Sequence, residues 1–395
     1  MKNNKNSRQN ILIILNGIIG EDPPLSGGDI RPLELAKYWE KKGFNIHILS
    51  SETAKKVCAN FDIHPVYHIM PNLNSKSSKI NYIIRAIQSL FFLPSSLKKI
   101  TLKYIYSSND TLFDVIPAFK LKLTVKKACW IALAHIIPPF PPWKRKNTAF
   151  MSSTLFFISE RLSIWLANLF ADKIFAVSEN TFNQLHKIGM NRKKIHMVEC
   201  GVNYKEIFTV AKSIRVKKYD AVFMKRLQRA KGVFDLVDIW KKVVKNKKEA
   251  RLLVLGTGSI KDVKLLKTKV KSEGLQSNII LGGHIQQLNE KINKLAESRL
   301  FIHPSYEENW AMVIGEAMAA GLPVIAYDLP ELRLIWKGNV EYIPQGDIKA
   351  FSKKIIYYLE HPDLRKREQK ENQAFVKKFD WKHIAERELS LIKKN

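Results

Sequence analysis

Short apolar runs alternate with longer amphipathic stretches along this chain, and the alternation starts twice. That pattern predicts an α/β fold built on parallel sheets with crossover helices. In the first half the expected strands are Ile11–Leu15, Asn45–Leu49, Val66–Ile69, Tyr104–Ser107, Cys129–Ala134, Lys173–Val177 and Ile195–Val198. Leu33, Leu35, Ala36 and Trp39 have helical spacing, and Gly43 supplies a stop. Ser178 is placed to cap a helix that runs through Leu185 to Gly189. After a basic, weakly patterned stretch over 211–218, strands are expected at Ala221–Met224, Leu252–Leu255, Asn278–Leu281, Leu300–His303 and Val324–Tyr327. A length of 395 residues exceeds one core and implies two domains, divided near 205–215. From Asp347 onward the pattern is helical, and Asp380 is a candidate cap for a last helix through Leu391.

The formal charge of +30 narrows the partners. It divides evenly, +15 over 1–200 and +15 over 201–395, whereas nucleic-acid binders concentrate charge on one element. No nucleic acid is expected, and an anionic membrane surface is the credible macroscopic partner. Lys2, Lys5 and Arg8 before Ile11–Leu15 imitate a signal peptide, but no small-residue cleavage site follows, and a buried first strand is expected. The longest apolar stretch, Phe150 to Ala171, is interrupted by Glu160 and Arg161, so no spanning helix is expected. The stretches 81–100, with Arg85, Lys98 and Lys99, and 150–169, with Trp165, are either interfacial helices or core-facing ones. Cys58, Cys129 and Cys200 lie far apart with no Cys-x-x-Cys, which favours buried thiols in a reducing compartment.

Against this basic background, Leu300 to Leu332 contains no Lys or Arg but holds Glu307, Glu308, Glu316, Asp328 and Glu331. Two of these carboxylates, Glu308 and Glu316, bracket a short apolar segment that Gly321 and Pro323 close. The run His303-Pro304-Ser305, Glu308, Glu316-Ala317-Met318-Ala319, Gly321, Pro323-Val324 resembles the signature of the retaining family 4 glycosyltransferases (glycosyl transferases group 1) of the GT-B fold. The resemblance implies two Rossmann-like domains facing a central cleft, over 1–207 and 208–378, with a C-terminal helix at 379–395 returning to the first. It implies transfer of a hexose from a nucleotide-diphosphate sugar to a glycan or lipid-linked acceptor, with retention. It also implies that no metal or other cofactor is required. In the family pattern Glu316 holds the ribose and Glu308 faces the donor sugar.

The remaining assignments follow from the same resemblance. Where the family has Gly-Phe-Gly, this chain has Asn309-Trp310-Ala311; the backbone from Trp310 through Ala311, Met312 and Val313 would face sugar and phosphate at a helix start. Arg226 and Lys231, after the first strand of the second half, would neutralise the diphosphate, with Lys225 replacing a family Gly. Gly256 and Gly283 would line the nucleotide pocket. Gly27 and Gly28, after Pro23-Pro24, would form the acceptor and phosphate loop, and His135 would stand near the donor sugar. Absence of a spanning helix, together with the charge, points to the cytoplasmic face of the membrane. Two rival readings are a catalytically silent GT-B subunit and a basic protein that binds membrane or nucleic acid.

Overall fold

The structure, a computed structural model, describes residues 8–19, 25–71, 78–142, 150–285 and 287–394. Pro23 and Pro24 lie outside the described residues. The chain divides into two compact units, Met1–Cys200 with Trp381–Asn395, and Gly201–Asp380.

The first unit is built on a parallel sheet of seven strands: β1 (Asn10–Leu15), β2 (Asn45–Ser50), β3 (Val66–Ile69), β4 (Leu102–Ser107), β5 (Cys129–Ala134), β6 (Lys173–Ala176) and β7 (Ile195–Met197). Their order is β3-β2-β1-β4-β5-β6-β7. Ile11 to Leu15 are wholly buried, as a central parallel strand covered on both faces requires. Ser26 caps the helix Gly27–Lys41 in a reciprocal capping box with Asp29, and Ser178 accepts from the Thr181 amide at the start of Glu179–Lys187. The last helix, Trp381–Lys393, packs on Gly27–Lys41. There Arg31 is paired with Glu388, both fully buried. The Tyr106 hydroxyl donates to Glu388 Oε1 at 2.6 Å, and Arg31 also donates to the Glu199 carbonyl at 3.0 Å.

The second unit carries a parallel sheet of six strands: β8 (Tyr219–Met224), β9 (Leu252–Leu255), β10 (Ile279–Gly283), β11 (Ser298–His303), β12 (Val324–Tyr327) and β13 (Glu341–Ile343), in the order β10-β9-β8-β11-β12-β13. β13 has no counterpart in the sequence reading, because three residues, Glu-Tyr-Ile, make no apolar run. The units divide at Cys200/Gly201 and Asp380/Trp381, a few residues from the 207/208 and 378/379 boundaries expected from sequence. The physical reason is local. Val202 bridges to Asp380 and its amide donates to the Phe379 carbonyl, while helix Tyr204–Ser213 packs on Leu288–Ala296.

Sheet order fixes where ligands can approach. In each unit the order reverses once, between β1 and β4 and between β8 and β11, so the loops after those strands diverge at the strands' carboxyl ends. Both loops that carry the strongest sequence motifs, 225–232 and 304–311, leave from the second of these points.

Candidate active site

At the β8/β11 reversal the chain concentrates charge. Glu308 is buried, with its side chain 6 % exposed, and Lys225 Nζ lies 2.9 Å from Oε2. Its Oε1 receives the Ser305 hydroxyl at 2.9 Å and lies 3.2 Å from Lys231 Nζ and 3.3 Å from His303 Nε2. Burial alone would raise the Glu308 pKa, but Lys225 and Lys231 outweigh it and hold the carboxyl well below the usual range. Burial pushes the His303 imidazole and the Lys225 ammonium the other way, toward their neutral forms, with Glu308 opposing. Glu308 is therefore an ionised carboxylate in a cradle with two lysines against its one charge. Lys231 is tied further by donating to the Glu307 carbonyl at 2.6 Å.

Glu316 lies one helix turn into Met312–Ala319. Its Oε1 is 2.6 Å from Lys291 Nζ on helix Leu288–Ala296. Its Oε2 is buried with no hydrogen-bond partner among the described residues. An unpartnered buried carboxylate oxygen costs free energy that a hydroxyl donor would recover. Arg226 differs from both lysines: it is exposed and makes no ion pair among the described residues.

The residues between the two carboxylates divide by backbone and side chain. The Trp310 side chain is buried, with its ring 4.7 Å from Trp336 and 5.3 Å from Phe379. Only its backbone is left for a ligand. Ala311 has φ 54° and ψ 61°, the left-handed conformation that the family's glycine adopts freely, so the helix starts at Met312 rather than near Trp310. For an L-residue that conformation costs about 1–3 kcal/mol, a strain of the kind found at functional sites. Met312 and Val313 are half-buried at the helix start. Gly256 has φ 139°, and a Cβ there would sit 1.9 Å from the Lys225 carbonyl, so this turn must stay glycine for the 225–232 loop to close over it. Gly283, at the end of β10, accepts from the Gly256 amide at 2.7 Å, which joins the two turns.

In the first unit the β1/β4 reversal brings three predicted or adjacent groups together. A Cβ on Gly28 would lie 2.3 Å from Asn109 Oδ1 and 3.5 Å from His135 Cε1. Gly27 opens the same helix. His135 Nε2 lies 2.8 Å from the Ser108 carbonyl, and its amide donates to Asp110 Oδ2 at 2.7 Å. Burial raises the pKa of the Cys58 thiol to about 12 and that of Cys200 to about 11, and raises Cys129 as well, which favours the neutral thiols.

Sequence reasoning did not assign roles to Lys225 as the partner of Glu308, to His303 and Ser305, or to Lys291. The His303-Pro-Ser305 triplet was a visible signal; Lys291 gave none, being one of two lysines on helix Leu288–Ala296.

Residues 205–391 match the family model for glycosyl transferases group 1, and residues 26–206 match that for glycosyltransferase family 4. The chain is 24 % identical over 239 residues to a poly(glycerol-phosphate) alpha-glucosyltransferase of Bacillus subtilis, covering 59 % of this chain and 33 % of that protein. It is 28 % identical over 158 residues to a phosphatidyl-myo-inositol mannosyltransferase of Mycobacterium leprae, covering 39 % and 41 %. These matches span less than half the length of either relative. Among solved structures, sucrose-phosphate synthase of Thermosynechococcus elongatus superposes with a TM-score of 0.76 at 16 % identity, covering 97 % of this chain and 98 % of that one. Anabaena HepE in complex with UDP-glucose superposes with a TM-score of 0.74 at 17 % identity, covering 98 % and 99 %. The chain belongs to the group 1 glycosyltransferases, and its fold is GT-B.

Proposed function

We propose that this protein transfers a hexose from a nucleoside-diphosphate sugar to a glycan or lipid-linked acceptor, with retention of the α configuration. The observation that carries the proposal is the pair of carboxylates beside the β8/β11 reversal. Glu308 is locked in an excess of cations, while Glu316 keeps a buried oxygen with no partner among the described residues. That oxygen suits a ribose hydroxyl. Arg226, exposed and without an ion pair among the described residues, suits the diphosphate, with Lys231 adding to the positive field. The bond between the anomeric carbon and the diphosphate oxygen breaks, and its electron pair leaves on the diphosphate. The acceptor hydroxyl oxygen bonds to the same face of that carbon, and its proton passes to the departing phosphate oxygen. Stabilising the negative charge that grows on the diphosphate is then the main task of the cations. Gly27 and Gly28 are assigned to the acceptor and phosphate loop of the first unit, and His135 is assigned a catalytic role. No residue is assigned to a metal. That relatives act on a poly(glycerol phosphate) and on a phosphatidylinositol supports an acceptor at a membrane, and we place the enzyme peripherally on its inner face. Among the described residues no helix is long and apolar enough to cross a membrane.

One observation favours a second reading, a nucleotide-binding subunit without transfer: Lys225 occupies Oε2 of Glu308, the carboxylate expected to face the sugar. Donor turnover separates the two. A panel of nucleoside-diphosphate sugars incubated with protein and acceptor should release one nucleoside diphosphate, and proton NMR of the product should show an α anomeric signal. A β signal would remove the protein from the retaining class; nucleotide binding without release would favour the silent subunit.

A further inference from the structure

We propose that the outward faces of helices Ser78–Phe91 and Phe150–Phe170 form one surface that inserts into an anionic lipid bilayer. This rests on the membrane placement proposed above and says which side chains make the contact. Helix Phe150–Phe170 presents Met151, Leu155, Ile158, Leu162, Trp165 and Leu169 at successive spacings of four and three residues, all exposed. Helix Ser78–Phe91 presents Ile80, Ile83, Ile84, Ile87, Leu90 and Phe91, with Phe91 84 % exposed. Every exposed side chain described on either helix is apolar. The Tyr82 hydroxyl lies 2.8 Å from Ser159 Oγ, so the two helices meet there. Both helices also pack on Leu112–Thr124. Soluble monomers rarely leave such a continuous apolar face in water.

Charge decides between lipid and a second copy of the chain. From 78 to 175 there are fourteen Lys and Arg against four Asp and Glu, so two copies meeting here would repel. Lys98 and Lys99 follow the first helix; Lys126 and Lys127 follow Leu112–Thr124. All four are exposed and make no ion pair among the described residues. Lys120 donates to the Leu90 carbonyl at 2.6 Å, which brings the C-terminal ends of helices Ser78–Phe91 and Leu112–Thr124 together, each followed in sequence by one of these lysine pairs. An apolar face edged with ammonium groups matches acyl chains beneath anionic headgroups. Arg85, expected from sequence to join these lysines, does not: it is 0 % exposed beneath the helix. The contact is therefore led by insertion of apolar side chains, with the lysines adding a salt-sensitive part.

Sedimentation of the full chain with phosphatidylcholine vesicles, with and without phosphatidylglycerol, at low and high salt tests this. Leu155→Glu combined with Leu162→Glu changes only exposed positions, and thermal unfolding should confirm an intact fold. We expect the parent to remain on phosphatidylglycerol vesicles at high salt, and the double variant to lose at least about tenfold in partitioning at both salts. Lys98→Glu with Lys99→Glu should lose binding only at low salt. Equal binding by parent and Leu155/Leu162 variant would overturn the proposal. So would a parent dimer that this variant splits while neither protein binds vesicles, the outcome for a second copy. Thermal stabilisation by nucleoside diphosphates should be the same in parent and variant; its absence from both would defeat the donor reading and leave the vesicle result standing.

Discussion

Each unit buries a cluster of ions, and these two clusters are built differently. In the first unit Arg31 meets Glu388, Tyr106 and the Glu199 carbonyl, and the two opposite charges cancel. In the second, Glu308 faces Lys225 and Lys231 with Ser305 and His303 alongside, and positive charge is left over. The first holds two helices together beneath the surface. The second sits where strand order reverses, next in sequence to the exposed Arg226, and the helix that follows carries Glu316, whose Oε2 has no partner among the described residues. A balanced cluster serves the fold; an unbalanced one at a strand-order reversal has capacity left for a ligand.

The largest effect should come from unbalancing the first cluster. Arg31→Ala leaves Glu388 buried without its cation, and breaking such a pair costs about 3–5 kcal/mol. Denaturant unfolding should show that loss, and a variant as stable as the parent would break the contrast at its structural end. At the other end, Arg226→Ala should leave stability near that of the parent, because the side chain is exposed and makes no ion pair among the described residues. It should lower turnover more than it weakens binding of free nucleoside, because its proposed partner gains charge in the transition state. Saturating-donor kinetics measures this; unchanged turnover would return Arg226 to the ordinary surface cations.

Much of the fold was legible because buried parallel strands write themselves as apolar runs. Val66–Ile69, Cys129–Ala134, Leu252–Leu255 and Val324–Tyr327 begin and end where the pattern places them. Ser178 and Gly189 were legible because caps have a stereochemical reason to be those residues. Contacts between distant segments were not. Lys225 and Glu308 are eighty-three positions apart, and only the β8/β11 adjacency makes them partners. Arg85 stands among apolar residues at a spacing that fits a surface cation, yet it faces inward, since one helical sequence does not say which neighbours cover it. For helix Phe150–Phe170 the apolar pattern runs all round, so sequence left open whether its outer face meets core or lipid.

The spare oxygen of Glu316 is, in our proposal, reserved for a nucleotide. Isothermal titration of parent and Glu316→Ala with a panel of nucleoside diphosphates, with circular dichroism to check the variant's fold, decides this. One base should bind the parent, and the variant should lose about 1.5–3 kcal/mol of that affinity, the worth of a hydrogen bond to a charged group. A folded Glu316→Ala that binds the same nucleotide as tightly as the parent would contradict it.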